Sequence, residues 1–148
     1  MQLIKDASAE KLRGAYYTPP AIASFILHWG INGGQDADIL EPSCGDGVFL
    51  ECMRDENMLF NTVTAIEYEA AEANKARTLG LHDSEVINQD FHRFCLDTDK
   101  RFDLVVGNPP FIRYQYYDPA QQKLADEIFS NAKLKRTKLT NAWVTFVV

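Results

Sequence analysis

The tetrapeptide Asn108-Pro109-Pro110-Phe111 contains the residues of this sequence that most directly suggest chemistry. Two consecutive prolines cannot donate to a strand ladder, so the carbonyl groups here remain available as hydrogen-bond acceptors. The side-chain oxygen of Asn108 is a second acceptor, and the ring of Phe111 offers a flat apolar face. Together these groups could hold an exocyclic amino group on a planar ring. A purely structural Pro-Pro turn is the alternative interpretation.

A second polar segment, Glu41-Pro42-Ser43-Cys44-Gly45-Asp46-Gly47, follows a short apolar run. Its glycines, Gly45 and Gly47, permit a tight turn and the close approach of a ligand to the backbone. An ordinary turn between a strand and a helix explains the same G-x-G spacing. Because the full G-x-G-x-x-G pattern is missing, the segment suits a nucleoside better than a pyrophosphate.

Two acidic residues follow later apolar runs. Glu67 comes directly after Ala65-Ile66, twenty residues beyond Gly47. An acid at this place can accept hydrogen bonds from both hydroxyl groups of a ribose. Asp90 and Phe91 could bind an adenine, with the carboxylate accepting from the amino group and the ring lying near the base. A surface glutamate is the alternative for Glu67, and the Asp90–Phe91 pair is uninformative by itself.

The apolar pattern predicts how these segments are positioned. Strands are predicted at residues 37–40, 62–66, 85–87 and 102–106, with helical segments between them. Their apolar residues are continuous, which is typical of a parallel sheet covered on both faces. We therefore predict an α/β fold with an open, mostly parallel, Rossmann-like sheet. The carboxyl ends of its strands would lie on one edge, where such sheets bind ligands.

The helices are predicted from caps and from apolar periodicity. The first has Thr18 as N-cap and Pro19 at its first position, with an apolar face formed by Ile22, Phe25, Ile26 and Trp29. Others begin at Val48, near Glu69 and at Pro119. Residues 1–12 look weakly helical, residues 14–17 form a loop, and Gly33-Gly34 ends a connection.

Composition excludes several classes of protein. The formal net charge is −6, from 15 basic and 21 acidic residues, which argues against a nucleic-acid binder that uses its whole surface. A local basic patch remains, and it is either a solvated helix end or an edge that contacts phosphates. Its members are Lys133, Lys135, Arg136 and Lys138.

The cysteines and histidines predict no metal site. Cys44, Cys52 and Cys95 are widely spaced without a C-x-x-C pair, so neither zinc nor a disulfide is indicated. The three histidines are predicted at the surface or at helix caps. No apolar run is long enough for a membrane span, and no signal peptide is visible. A cytoplasmic location is the expectation.

Five segments, in chain order, resemble those of a known family. They are Gly14-Ala-Tyr-Tyr-Thr-Pro-Pro20, Ile39-Leu-Glu-Pro-Ser-Cys-Gly-Asp-Gly-Val-Phe-Leu50, Ala65-Ile-Glu67, Asn88-Gln-Asp-Phe91 and Phe102-Asp-Leu-Val-Val-Gly-Asn-Pro-Pro-Phe111. The chain resembles S-adenosylmethionine-dependent DNA adenine-N6 methyltransferases of the gamma arrangement, the TaqI-like and Eco57I-like enzymes of restriction–modification systems. The resemblance covers roughly residues 13–115, and more weakly 139–148.

The resemblance implies a role for each matching residue. Those implied around the methionine part of S-adenosyl-L-methionine are Tyr17, Thr18, Glu41, Ser43, Gly45 and Gly47, with Glu41 near its amino group. Pro42 is a further implied cofactor-binding residue. Glu67 would hold the ribose, Asp90 would read the cofactor adenine, and Phe91 would flank it. In the catalytic segment Asn108-Pro109-Pro110-Phe111, Asn108 and the Pro109 carbonyl would hold the target amino group. Phe111, where many relatives carry Tyr, would stack on the flipped base.

The resemblance also implies partners and a larger enzyme. The substrate would be double-stranded DNA with a flipped adenine, and a restriction endonuclease would be a separate or fused partner. The catalytic domain of such enzymes has more strands than are predicted here. We therefore expect residues 1–148 to be the N-terminal, cofactor-binding portion of a C-terminally truncated methyltransferase domain, without its target recognition domain and inactive alone.

Two alternatives stay open. Methyltransferases that act on RNA guanine or on protein glutamine also carry Asn-Pro-Pro with an aromatic residue. They usually lack a segment like Tyr16-Tyr17-Thr18-Pro19-Pro20, so DNA adenine is favoured. The other alternative is a non-catalytic module that binds the cofactor or a partner.

Overall fold

The computed structural model describes residues 17–31, 36–112, 116–135 and 141–147. It divides the chain into two compact units, one of which is Tyr17–Asn108. The other includes the described residues after Asn108. The predictions for residues 1–12 and 14–16, for Gly33-Gly34, and for Arg136 and Lys138 fall outside the described residues.

The first unit contains a four-stranded parallel sheet. Its strands are β1 (Asp38–Glu41), β2 (Thr62–Glu67), β3 (Ser84–Asn88) and β4 (Leu104–Val105), in the order β3-β2-β1-β4. All four predicted strands are confirmed, although β4 is shorter than predicted. Its neighbour β1 has only four residues, and backbone bonds from Asp103 N–H to the Asp38 oxygen and from Val106 N–H to the Leu40 oxygen complete the pairing.

Four helices accompany this sheet: α1 (Pro20–Ile31), α2 (Val48–Asp55), α3 (Ala70–Thr78) and α4 (Phe91–Asp97). The predicted start of α1 is wrong by one residue. The Pro19 carbonyl accepts from the N–H groups of Ile22 and Ala23, so Pro20 is the first helical residue and Thr18 does not occupy the N-cap position. Proline tolerates this first position as well, because its missing N–H would have no partner there.

The predicted apolar face of α1 is also wrong. Ala23 and Leu27 are fully buried, whereas Phe25 and Trp29 are 69% and 78% exposed. Gly30 lies about one turn beyond Leu27 and is half-buried, and a side-chain carbon added to it would lie 3.1 Å from Leu104 Cδ1. The helix therefore approaches the sheet through its small residues, which a count of large apolar side chains does not reveal.

The core occupies both faces of the sheet. Ile39 and Ala65 belong to the larger cluster, with Leu27, Phe49 and Met53 from α1 and α2. Leu40 and Ile66, the next residue on each strand, pack with Phe94 of α4 instead. Successive strand residues point to opposite faces, so these continuous apolar strands are covered on both sides, as predicted.

The second unit contains α5 (Pro119–Asn131) and a 3-10 helix (Ala142–Phe146) that packs against it. The Asp118 carboxylate caps α5 in a capping box with Gln121. The predicted start at Pro119 is confirmed. Within the described residues, no helix is both long and apolar enough to cross a membrane.

Candidate functional site

The segments that follow the strands lie together at the carboxyl edge of the sheet. Parallel pairing places Glu41 beside Ala65 and Glu67 beside Asn88. The segment after β4 begins next to the Leu40 carbonyl, which accepts from the Val106 N–H at 2.9 Å. The edge predicted from the sequence therefore exists, and it carries the candidate residues Glu41, Glu67 and Asn108.

The glycine turn after β1 is anchored to β2. The Cys44 N–H donates to the Ile66 carbonyl at 2.9 Å, and the Gly45 N–H donates to Glu67 Oε2 at 2.8 Å. Gly47 has a φ of 99°, and a side-chain carbon there would lie 2.6 Å from Leu79 Cδ1. Gly45 has a φ of 56°, and no atom of another described residue lies within 4 Å of such a carbon. The turn is therefore packed at Gly47 and accessible to a ligand at Gly45.

Glu67 is held at the end of β2 by two backbone donors. Its Oε2 accepts from Gly45 N–H, and its Oε1 accepts from Glu69 N–H at 2.7 Å. Burial raises the pKa of Glu67, and the bonds from Glu69 and Gly45 oppose that shift. Each carboxylate oxygen has a second acceptor site, so a positioned Glu67 can still accept from a diol.

Glu41 is the most unusual side chain at this edge. It is only 1% exposed, and its Oε2 has no hydrogen-bond partner among the described residues. Burial raises its pKa well above the ordinary value, and the charges of Glu67 and Asp46 add to that shift. A buried acceptor without a donor carries a free-energy cost that a cationic ligand group would remove. This orphaned oxygen is the observation that fits the amino group of a cofactor.

Ser43 connects the glycine turn to the segment that follows β4. Its hydroxyl lies 3.5 Å from the Asn108 carbonyl oxygen, to which it donates. Pro42 is buried, and a side-chain carbon added to Gly107 would contact Pro42 Cδ at 3.4 Å. The structure thus brings Ser43 and Asn108 together. Pro109, Pro110 and Phe111 come next in the chain and belong to the second unit, where half of the Phe111 side chain is exposed.

The segment after β3 is tied to the end of β2 by Asn88. Its Nδ2 donates to the Glu67 carbonyl at 2.8 Å and to the Tyr68 carbonyl at 2.9 Å. Asp90 caps α4, and its Oδ1 accepts from the His92 N–H at 2.8 Å. Asp90 therefore has a structural role beside its predicted role in adenine binding. Phe91 is half-buried against the apolar cluster of Leu40, Ile66 and Phe94.

Two residues at this edge were missed by the sequence argument. Tyr68 directly follows Glu67 in the chain and is 55% exposed. An aromatic residue one position after a strand-ending acid was the available signal. His92 is 2% exposed, with Nδ1 3.1 Å from Asp90 Oδ1. A surface position is wrong for this histidine, which is buried, but it does lie at a helix cap, in the first turn of α4 beside the N-cap Asp90. His28 and His82 are exposed as predicted.

For the remaining sequence candidates the structure gives the position in the chain and the exposure. Tyr17 is exposed and Thr18 half-buried, just before α1, and their cofactor roles stay predictions. Lys133 and Lys135 are exposed after α5, as in a solvated helix end. The three cysteines are free. The described residues include no group of three His, Cys, Asp or Glu side chains arranged to hold a metal ion.

Comparison with known sequences identifies related proteins. The family model described as N-6 DNA Methylase matches residues 2–148. The Type II methyltransferase M.CvrRI of Paramecium bursaria Chlorella virus XZ-6E is 32% identical over 121 residues, covering 75% of this chain and 30% of the relative. M.AccI of Acinetobacter calcoaceticus, another Type II methyltransferase, is 27% identical over 136 residues, covering 90% and 24%. The chain thus spans a quarter to a third of these relatives.

Solved structures share the fold. The type I restriction–modification methyltransferase subunit from Streptococcus thermophilus superposes with a TM-score of 0.65 at 20% identity, covering 91% of this chain and 31% of that one. A dimethyladenosine transferase from Plasmodium falciparum has a TM-score of 0.53 at 18% identity, covering 81% and 40%. At such identities the likeness establishes the architecture, an α/β sheet of the methyltransferase type.

Proposed function

The chain belongs to the N-6 DNA methylase family, and on this premise we propose that it carries the cofactor site and catalytic segment of an adenine-specific DNA methyltransferase. The enzyme transfers a methyl group from S-adenosylmethionine to the N6 amino group of adenine, within a restriction–modification system. Residues 1–148 form the N-terminal, cofactor-binding portion of its methyltransferase domain. The observation that carries this proposal is the buried Glu41 oxygen, which has no partner among the described residues and lies beside the Gly45 turn and Glu67.

The cofactor side of the site uses the ends of three strands. S-adenosylmethionine supplies an electrophilic sulfonium methyl group when it is bound. Glu41 accepts from the amino group of the methionine part, and Glu67 accepts from the ribose hydroxyls with its remaining lone pairs. The other residues around the methionine part are Tyr17, Thr18, Pro42, Ser43, Gly45 and Gly47. Asp90 accepts from the adenine amino group, while Phe91 and the exposed Tyr68 lie beside the base.

The target side uses the segment after β4. An aromatic amine is a weak nucleophile because its lone pair is delocalised into the ring. The side-chain oxygen of Asn108 and the Pro109 carbonyl accept hydrogen bonds from the target amino group and favour a more pyramidal nitrogen. Pro110 leaves that backbone without a competing donor, and Phe111 stacks on the flipped adenine. Orientation of the amine supplies much of the rate enhancement, together with these fixed acceptors.

The partners follow from this reaction. The substrate is double-stranded DNA, from which the target adenine is flipped into the site. The second partner is a restriction endonuclease, separate or fused, and methylation of the adenine protects the DNA from cleavage by it. An enzyme of this kind acts on cytoplasmic DNA.

The replacement Asn108→Ala tests the proposal. It removes one of two acceptors on the target amine and leaves the cofactor contacts intact. Methyl transfer should fall by about 100-fold to 1000-fold, while S-adenosylmethionine affinity changes less than about twofold. The assay follows labelled methyl groups into DNA, with the longest natural polypeptide that contains this chain. Asn74→Ala, at an exposed position of α3, is the control. An Asn108→Ala enzyme with the wild-type rate contradicts the assignment.

The same assay separates the alternative functions. Incubation with DNA, with ribosomal RNA and with a release factor, followed by mass spectrometry of the products, should give N6-methyladenine from DNA alone. A methylated guanine or glutamine would favour the other amino-group methyltransferases. Cofactor binding without transfer to any of the three would favour a non-catalytic module.

A further inference from the structure

Glu41 combines two properties that do not suit an ionised carboxylate. Its side chain is sealed from solvent, and its Oε2 has no hydrogen-bond partner among the described residues. A buried charge without a partner is unfavourable by several kcal/mol in general, and a buried acid normally keeps its proton instead. The geometry of the free protein therefore favours the neutral acid.

The groups around Glu41 act in the same direction. The titratable groups that face it among the described residues are Glu67 at the end of β2 and Asp46 and Cys44 in the glycine turn. None of them is a cation, and the two acids raise the pKa of Glu41 further. From the β4 side the neighbour is Gly107, where a side-chain carbon would lie 3.8 Å from Glu41 Cγ. Gly107 therefore presents no titratable side chain to Glu41.

We propose that Glu41 is a neutral carboxylic acid in the free protein and releases its proton to solvent when the ammonium group of the cofactor binds. This inference rests on the proposed cofactor site. The O–H bond of Glu41 breaks, the proton goes to the buffer, and the resulting carboxylate pairs with the ammonium cation. No other bond changes, so cofactor uptake is coupled to the release of one proton.

The coupling makes Glu41 a specificity determinant for the amino-acid end of the ligand. A ligand with a cationic amine supplies the partner that the carboxylate needs. A ligand that has only the nucleoside part leaves Glu41 neutral and makes the remaining contacts, such as those of Glu67. S-adenosylmethionine and 5′-methylthioadenosine differ in this respect and form a matched pair of probes.

Titration calorimetry of the full chain in two buffers with different ionisation enthalpies counts the protons released. With S-adenosylmethionine we expect up to about one proton per site at a pH below the raised pKa of free Glu41 and above the pKa of the cofactor-bound carboxyl, declining as the pH rises through the raised pKa. With 5′-methylthioadenosine we expect none. Equal proton release with the two ligands overturns the inference.

Glu41→Gln removes the titrating group while keeping its shape and neutrality. This variant should bind S-adenosylmethionine about tenfold to a hundredfold more weakly, without the proton release attributed to Glu41. Its affinity for 5′-methylthioadenosine should match that of the wild type, which also shows that it is folded. Glu51→Gln, at an exposed glutamate of α2, is the control and should behave as wild type.

Infrared difference spectroscopy of the wild-type protein gives an independent measurement. A protonated carboxylic acid band should disappear when S-adenosylmethionine is added and persist with 5′-methylthioadenosine. Cofactor binding with no loss of that band overturns this inference alone. If S-adenosylmethionine does not bind at all, the proposed cofactor site is wrong and the inference falls with it.

Discussion

Asp38 and Glu41 lie at opposite ends of the same four-residue strand, β1. They differ in their hydrogen bonding and in the direction of their pKa shifts. At the amino end, Asp38 Oδ1 accepts from Thr62 Oγ1 at 2.6 Å and from Asn61 Nδ2 at 2.8 Å. These bonds lower the pKa of Asp38. At the carboxyl end, Glu41 is buried, its Oε2 has no partner in the part of the chain that the structure describes, and its pKa is raised.

The difference separates a structural acid from one kept for a ligand. The amino edge satisfies its own polar groups, as Lys100 Nζ also shows by donating to Glu85 Oε2 at 3.2 Å. The carboxyl edge keeps a buried acceptor unsatisfied, at a cost in folding free energy that binding would recover. Changes at the carboxyl edge should therefore alter binding, and changes at the amino edge should alter stability alone.

Replacement of the two turn glycines by alanine should give the largest effects on stability. It also distinguishes the packed position Gly47 from the open position Gly45 within the carboxyl edge. Gly47→Ala introduces a side chain at a positive φ and within 2.6 Å of Leu79 Cδ1. We expect it to lower the free energy of unfolding by about 3 kcal/mol. Gly45→Ala has the backbone strain without the clash and should cost about 1 kcal/mol. Urea denaturation measures both losses.

The loss of cofactor affinity in these two variants should not follow their loss of stability. Gly45→Ala places a methyl group in open space beside the proposed ligand site, so its binding loss should be disproportionate to its small stability loss. Equal stability losses for the two alanines would show that Leu79 simply moves aside, and that the turn is not packed at Gly47.

The next largest effect is expected for Glu67→Gln. Both carboxylate oxygens accept from a backbone N–H, of Gly45 and of Glu69. An amide has one oxygen, so either orientation leaves one of these N–H groups facing an NH2 group. The free energy of unfolding should fall by about 1–2 kcal/mol. Affinity for 5′-methylthioadenosine should fall about tenfold, because the ribose acceptor is also weakened.

Glu85→Gln is the matched control for that change. Glu85 is an exposed glutamate on β3 whose partner is Lys100. Loss of such an exposed pair should change stability little and binding not at all. A similar loss of nucleoside affinity in both glutamine variants would remove the distinction between this site and an ordinary surface pair.

The sequence located the carboxyl edge because its signals are local. A continuous apolar run such as Ala65-Ile66 followed by Glu67 defines both a buried strand and the residue at its end. The capping role of Asp90 was also accessible, since an aspartate directly before a helix is a common N-cap. Its buried partner His92 was not, because burial of a polar side chain depends on what packs around it in three dimensions.

The buried face of α1 and the unpartnered oxygen of Glu41 could not be predicted from the sequence, for a related reason. Apolar residues surround α1 on most sides, so its periodicity did not identify one face. Gly30 allows the helix to approach Leu104 closely, and Ala23 is fully buried on the same side of the helix as Leu27. The orphaned oxygen of Glu41 is likewise a result of tertiary packing, and no spacing of residues in the sequence encodes it.

The smallest effect is expected for Asp38→Asn, and it tests the comparison through pH. The amide oxygen can still accept from Thr62 and Asn61, so the variant loses only the charge. The lowered pKa of Asp38 implies stability that is present above its unfolded pKa of about 3.9 and is lost as the pH falls through the folded value. Stability of the variant should thus lack this acid-dependent component, with nucleoside affinity unchanged.

Glu41→Gln should act with the opposite sign, because the raised pKa of Glu41 makes the wild type lose stability as the pH rises from about 4.3 towards the folded value. Urea denaturation from about pH 3 to about pH 7 measures both slopes, and a shared sign would show that both ends of β1 are solvated alike.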